Sequence, residues 1–262
     1  MNYEKTLRCI QKYQPDTVVH LAAQSSVGYS WDNPVSSFNN NVNIFLNLIE
    51  SIRISNIDCR ILSVGSSESY GIVDKSILPL KESDALNPIS PYAVARVSQE
   101  MLSKVYVEGY GMDILMTRSF NHFGPGQDER FVIPSFIKRI LNRKKYNSNE
   151  VIEVGDLSII RDFVDVRDVV KAYVLLLEYG ATGKIYNICS GEGRSLKEIL
   201  INIQLILNYN VGYRVNPSFI RPNDNPIIIG DYSKIKQKVG WSPEINLDKS
   251  LQDIVTYIEK TS

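Results

Sequence analysis

No block of like charge interrupts these 262 residues, in which 29 lysines and arginines balance 29 aspartates and glutamates. A surface built for nucleic acid would carry a basic excess, and none is present. No apolar run reaches the ~18 residues of a membrane span. The opening stretch, residues 1–14, is mixed polar and charged, which reads as neither signal peptide nor anchor. Cysteine is scarce: Cys9, Cys59 and Cys189 are odd in number and too widely spaced for metal pairs, a pattern expected of reduced thiols in a soluble cytoplasmic protein. Internal repeats and low-complexity linkers are missing as well. Two lobes, if present, must therefore be interleaved in sequence rather than joined end to end.

What remains is a chain with 44% hydrophobic residues, enough for a sizeable core. Its punctuation alternates strand and helix. Residues 16–21 form a short apolar run after Pro15 and read as a buried strand. The stretch 34–55 steps Phe38, Val42, Phe45, Ile49 and Ile52 by fours and threes, placing them on one helical face. Residues 60–64 and 113–117 read as further strands, with a helix from Pro91 to about Gly109 between them. Later helices fall near 131–143, 166–179, 195–208, 233–239 and 247–259, with strands near 151–154 and 184–189. Ser195 with Glu198 forms a capping box, and Gly240 is a natural helix stop. Strands separated regularly by helices predict an α/β fold with a doubly wound, mainly parallel sheet.

Five stretches carry residues suited to chemistry. In Ser90-Pro-Tyr-Ala-Val-Ala-Arg96, Tyr92 and Arg96 share a helix face, and a cation beside a phenol favours proton exchange with a carbonyl or alcohol. Ser66 and Glu68 follow the strand at 60–64, where ligands of parallel sheets sit. Ser66 suits a hydrogen bond to a substrate oxygen and Glu68 a second proton transfer. Ala22, Ala23 and Gln24 also follow a strand, and small side chains there let a flat ligand approach the backbone. His20, within that strand, reads as a packed core histidine. Asn121 suits a phosphate or sugar oxygen, whereas His122 has no carboxylate beside it and reads as structural. Arg161 and Arg221 suit bidentate phosphate binding, although either alone is equally explained by a surface ion pair.

Taken in order, HLAAQSSVGYSW (20–31), VGSSESYG (64–71), SPYAVAR (90–96), RSFNHFGPGQ (118–127), VGDLSIIRDFVDVRDVVKAY (154–173), YNICSG (186–191) and RPNDNP (221–226) resemble the nucleotide-sugar branch of the extended short-chain dehydrogenases/reductases. Within that branch the pattern is closest to GDP-4-dehydro-6-deoxy-mannose reductases. The resemblance implies a Rossmann-type core over 1–122 and 166–189, and a substrate lobe over 123–165 and 190–262. It implies Ser66 and Tyr92 as proton-transfer residues, Ala22, Ala23, Gln24, Tyr92 and Arg96 beside an NADP or NAD cofactor, and Asn121, Arg161 and Arg221 against a GDP-linked deoxysugar. It further implies a homodimer through the helices 34–55 and 91–109. A GDP-mannose 4,6-dehydratase, with Glu68 as ring base, is the enzymatic alternative. A non-enzymatic alternative is a fragment or degenerate paralogue that binds a sugar nucleotide or pairs with an intact homologue.

Two departures shape the expectation of activity. The family begins with a strand and a glycine-rich loop that cradles the dinucleotide pyrophosphate, and no such loop precedes residue 16. On this reading roughly two βα units are missing from the start, and the chain alone is expected to show little turnover. Arg96 also stands where the family carries a lysine. Arginine keeps the charge, but its planar fork differs from an ammonium.

Overall fold

The computed structural model describes residues 2–148, 150–220 and 223–261. Its centre is a parallel sheet in the order β1 (Thr17–His20), β2 (Arg60–Ser66), β3 (Ile114–Ser119), β7 (Ile185–Ile188). Side chains alternate across it. Ile61 and Ile114 join Phe45, Ile49 and Ile52 of α3 (Pro34–Ile54), Tyr106 of α4 (Pro91–Tyr110) and Ile10 of α1 (Tyr3–Tyr13) on one face. Leu62, Val64 and Leu115 meet Val169, Ala172 and Leu176 of α6 (Val166–Tyr179) and Ile235 of α8 (Ser233–Val239) on the other. The doubly wound parallel arrangement read from the sequence is therefore present.

Two packing expectations need correction. β1 is not buried: among the described residues it pairs with β2 alone, at the sheet edge, and its residues run exposed, half-buried, exposed, buried. Val19 and Leu21 are 38% and 63% exposed. In α3 the inward stripe starts with Ser37 and Asn41, whereas Phe38 is exposed and Val42 only half-buried. The capping box at Ser195 of α7 (Leu196–Leu207) is complete, and Gly240 ends α8 in the left-handed region.

Beyond β3 the chain builds a second layer. β4 (Asn121–Phe123), β6 (Ile160–Asp165) and β10 (Ile227–Ile228) pair in parallel, with β8 (Gly193–Ser195) antiparallel to β6. β5 (Ile152–Val154) pairs with β9 (Tyr213–Val215), and α5 (Val132–Lys145), α7 and α9 (Leu247–Thr261) enclose a separate apolar core with it. Three buried aspartates lock these parts together. Asp162 accepts backbone N–H groups of Ser190, Gly191 and Gly230 at 2.7, 2.9 and 3.2 Å. Asp165 accepts the Ser250 hydroxyl of α9, and Asp168 the N–H groups of Glu244 and Ile245 at 2.9 and 2.8 Å.

Candidate active site

The site is assembled where β1 and β2 end. Ser66 closes β2, and its hydroxyl accepts the Glu68 N–H at 3.2 Å, capping a 3₁₀ turn over Ser67–Tyr70. Gly71 completes that turn with φ of 64°, and a side chain there would collide with the Asn87 carbonyl. Glu68 is half-buried within it. Ser90 caps α4 by accepting the Ala93 N–H at 3.1 Å, and Pro91 occupies the first helical position. That start fixes Tyr92 in the first turn at 7% exposure and Arg96 one turn later at 6%. The Arg96 guanidinium carbon lies 5.1 Å from the Tyr92 ring centroid. Its Nη1 donates to Gln99 Oε1 at 2.7 Å and to the Val64 carbonyl at 3.4 Å, two residues before Ser66. Ser66, Tyr92 and Arg96 thus gather around one strand end.

The loop carrying Ala22, Ala23 and Gln24 lies beside it, because β1 pairs in register with β2. Asn41 of α3, fully buried, holds this loop by accepting the Gln24 N–H at 2.8 Å and donating to the Gln24 carbonyl at 3.1 Å. Ala22 is exposed and Ala23 half-buried.

Asn121 and Arg161 belong to the second layer. Asn121 is half-buried, and its carboxamide has no hydrogen-bond partner among the described residues. Arg161 is buried, donating to the Asn225 carbonyl at 2.6 Å and to Asp224 at 2.8 Å. Asn225 in turn donates to the Gly71 carbonyl, so the loop around 224–226 joins Arg161 to the turn that carries Glu68. Arg221 lies outside the described residues. His122 is exposed, with Nδ1 at 3.0 Å from the Phe120 carbonyl, in keeping with a structural role.

Sequence reasoning missed the polar groups behind these residues. Tyr173 of α6 bonds Ser119 Oγ at 2.7 Å, and burial pushes its phenol up to about 12. Ser63, Gln99 and Ser103 are buried between β2 and α4. Their only signal in the sequence was polarity at positions that a strand and an inward helical face leave apolar.

The sequence profile described as GDP-mannose 4,6 dehydratase matches residues 1–254. The chain belongs to this family. Within the GDP-mannose 4,6 dehydratase family it is 33% identical to the GDP-6-deoxy-D-mannose reductase of Pseudomonas aeruginosa, over 92% of this chain and 80% of the relative. It is 28% identical to the GDP-mannose 4,6-dehydratase of Yersinia enterocolitica, over 95% and 74% respectively. A solved structure of RMD from Pseudomonas aeruginosa complexed with NADPH superposes with a TM-score of 0.89 at 32% identity, covering 95% of this chain and 83% of that one.

Two features of this family member suit the nicotinamide–ribose end of such a cofactor. Among the described residues, both ring nitrogens of His20 and Nε of Arg96 are buried without a hydrogen-bond partner, and ribose hydroxyls serve as donors and acceptors alike. Ser66 and Tyr92 add hydroxyls at the same strand ends.

His20 is packed as expected, 4% exposed with its ring centroid 5.1 Å from that of Phe45. Burial, and after it the Arg96 charge, pull its pKa from 6.5 to about 4. Folding therefore favours the neutral ring. Its contribution is complete above pH 6.5 and is lost as pH falls toward 4, about 3 kcal/mol in all. His20→Phe is expected to flatten that part of the stability curve in urea titrations stepped between neutrality and about pH 4. His122 is common to both proteins and cancels in the difference. Parallel curves for the two proteins would refute the assignment.

Proposed function

We propose that this chain is a nucleotide-sugar reductase that converts the C4 ketone of GDP-4-keto-6-deoxy-mannose to the alcohol of GDP-rhamnose, using NADPH or NADH. The observation that carries the reading is the placement of Tyr92 over the buried Arg96 at the end of β2, beside Ser66. The bound cofactor supplies the hydride that reaches C4. The Ser66 hydroxyl donates to the ketone oxygen and polarises it. The Tyr92 phenol gives its proton to that oxygen as the C–H bond forms, and the Arg96 charge steadies the phenolate left behind. Asn121, Arg161 and Arg221 are assigned to the sugar nucleotide. Glu68, in the turn directly after Ser66, favours a second reading as a 4,6-dehydratase, for which it is the base.

NADPH oxidation with the 4-keto sugar nucleotide, and separately dehydration of GDP-mannose, divides the two readings. Both assays are run on this chain and on a version preceded by two βα units with a glycine-rich loop. The longer protein is expected to bind NADPH and reduce the ketone. Failure of both versions to do either would overturn the reading. GDP is expected to bind more tightly than UDP, and Arg161→Ala to weaken it about ten- to a hundredfold by removing a charge-assisted hydrogen bond. Calorimetry showing equal affinities, or no loss in the variant, removes the substrate assignment.

A homodimer through α3 and α4 belongs to the same proposal. Ile54 and Met101 are 51% and 40% exposed, Val35 and Val105 of the same two helices are also exposed, and Leu46 and Val97 are half-buried. Light scattering at micromolar concentration is expected to give a dimer, and Met101→Asp a monomer. A clean monomer of the unaltered chain counts against it. Among the described residues no helix is long and apolar enough to cross a membrane, and Cys9, Cys59 and Cys189 are free thiols, which suits the cytoplasm.

A further inference from the structure

The wedge between β2 and α4 is polar where packing alone would make it apolar. Ser63, Gln99 and Ser103 are 2%, 1% and 0% exposed, although serine and glutamine belong mostly to surfaces. Their hydrogen bonds are complete. Gln99 Nε2 donates to Ser63 Oγ at 2.9 Å and to the Val64 carbonyl at 3.0 Å. Ser103 Oγ donates to the Gln99 carbonyl at 2.9 Å and lies 3.2 Å from Ser63 Oγ. A carbonyl only accepts, so the bond to Val64 fixes which way the Gln99 amide points. Its nitrogen faces the strand and its oxygen faces Arg96, whose Nη1 donates to it at 2.7 Å.

A core plug would need no charge, and this wedge is built around one. Burying a guanidinium is costly unless it is paired or hydrogen-bonded. Among the described residues, no carboxylate forms an ion pair with Arg96. It is held by the Gln99 amide oxygen, the Val64 carbonyl and the face of the Tyr92 ring. A neutral acceptor fixes the position of a cation without cancelling its field, whereas a carboxylate would do both. The field is felt nearby, since the Arg96 charge contributes to keeping His20 neutral. The frame also suits the planar fork. Nη1 reaches both acceptors while the guanidinium carbon stays 5.1 Å from the Tyr92 ring centroid, and an ammonium has no plane to lay against a ring.

We infer that Gln99 is a positioning residue for the proton-transfer pair, holding the Arg96 guanidinium beneath Tyr92 through a neutral amide so that its whole charge acts on the phenol. The chemistry of this inference rests on the reductase reading; its geometry rests on the hydrogen bonds alone. Two measurements test it, using Gln99→Leu, which removes the acceptor, and Gln99→Glu, which keeps an acceptor but adds a counter-charge.

The first is NMR of ¹⁵N-arginine-labelled protein, with the Arg96 Nη signals assigned by their loss in Arg96→Lys. Hindered rotation should resolve these signals in the parent and in Gln99→Glu, and they should merge in Gln99→Leu. The second is steady-state NADPH-dependent reduction of the 4-keto sugar nucleotide. Both variants should lower kcat by about tenfold or more with KM unchanged, the size of one charged hydrogen bond. Unaltered Arg96 signals in Gln99→Leu would overturn the positioning. Parental kcat in Gln99→Glu would overturn the role of the uncancelled charge. A parent that binds NADPH but reduces nothing defeats the reductase reading instead, and the NMR result then decides the positioning by itself.

Discussion

Tyr92→Phe is expected to lower reductase turnover by about 10²–10⁴-fold. Phenylalanine keeps the ring, its burial and the face that lies 5.1 Å from the Arg96 guanidinium carbon, so only the transferable proton is removed. Among the described residues, the other buried phenols and the two histidines are poorly placed to replace it. The Tyr173 hydroxyl is engaged by Ser119 at 2.7 Å and burial raises it to about 12. The Tyr70 hydroxyl donates to Asn187 Oδ1 at 2.7 Å, and burial pushes it well above the usual tyrosine range. His20 is neutral and enclosed, and His122 is on β4 in the second layer. The check is single-turnover NADPH oxidation under saturating substrate. A variant rate close to the parent's would show that the acid is some other group.

The same residues show what a sequence can and cannot convey. Tyr92 and Ser66 were legible because local rules place them: a Ser-Pro helix start puts Tyr92 in the first turn, and the end of a parallel strand puts Ser66 at the ligand side. The exposure of β1 was not legible in its own residues. Thr-Val-Val-His reads like any buried strand, since exposure depends on which strand lies alongside and not on the strand's own residues. The helix α1 was passed over because charged residues dilute its stripe of Tyr3, Leu7 and Ile10, although Asn2 caps it by accepting the Lys5 N–H at 3.2 Å. The strands β4, β8 and β10 have only 3, 3 and 2 residues, too few to show a period, and exist through pairing with β6. Arg161 was read as a phosphate-binding candidate with a surface ion pair as the alternative, and its burial was not legible. Its partners, Asp224 and Asn225, arrive from more than sixty residues later, and only the fold could supply them. Gln99 looked like one more polar position on an amphipathic helix until Ser63 and Val64 faced it.

Arg118→Met is expected to destabilise the protein by about 3–5 kcal/mol, the cost of leaving a buried charge without its partner. Arg118 on β3 and Glu100 on α4 are 3% and 6% exposed. They meet through two parallel bonds, Nε to Oε2 at 3.0 Å and Nη2 to Oε1 at 2.9 Å. The guanidinium also donates to the Glu82 carbonyl at 3.2 Å and its carbon lies 4.7 Å from the Tyr70 ring centroid. Methionine fills much of the same volume but cannot answer the carboxylate. Lys104, 3.4 Å from Glu100 and partly exposed, can soften the loss without matching the bidentate geometry. Removing both charges should therefore cost less than removing one. The double variant Glu100→Met/Arg118→Met is expected to recover part of the stability lost in Arg118→Met, because neither charge of this pair is then left buried without its partner. Urea unfolding of the parent, both single variants and the double closes the cycle, provided the slopes agree. If Arg118→Met costs less than about 1 kcal/mol, the ordinary range for a single substitution, the pair does not hold α4 against β3. A double variant weaker than Arg118→Met would instead show that the site requires the ion pair itself and tolerates no apolar replacement.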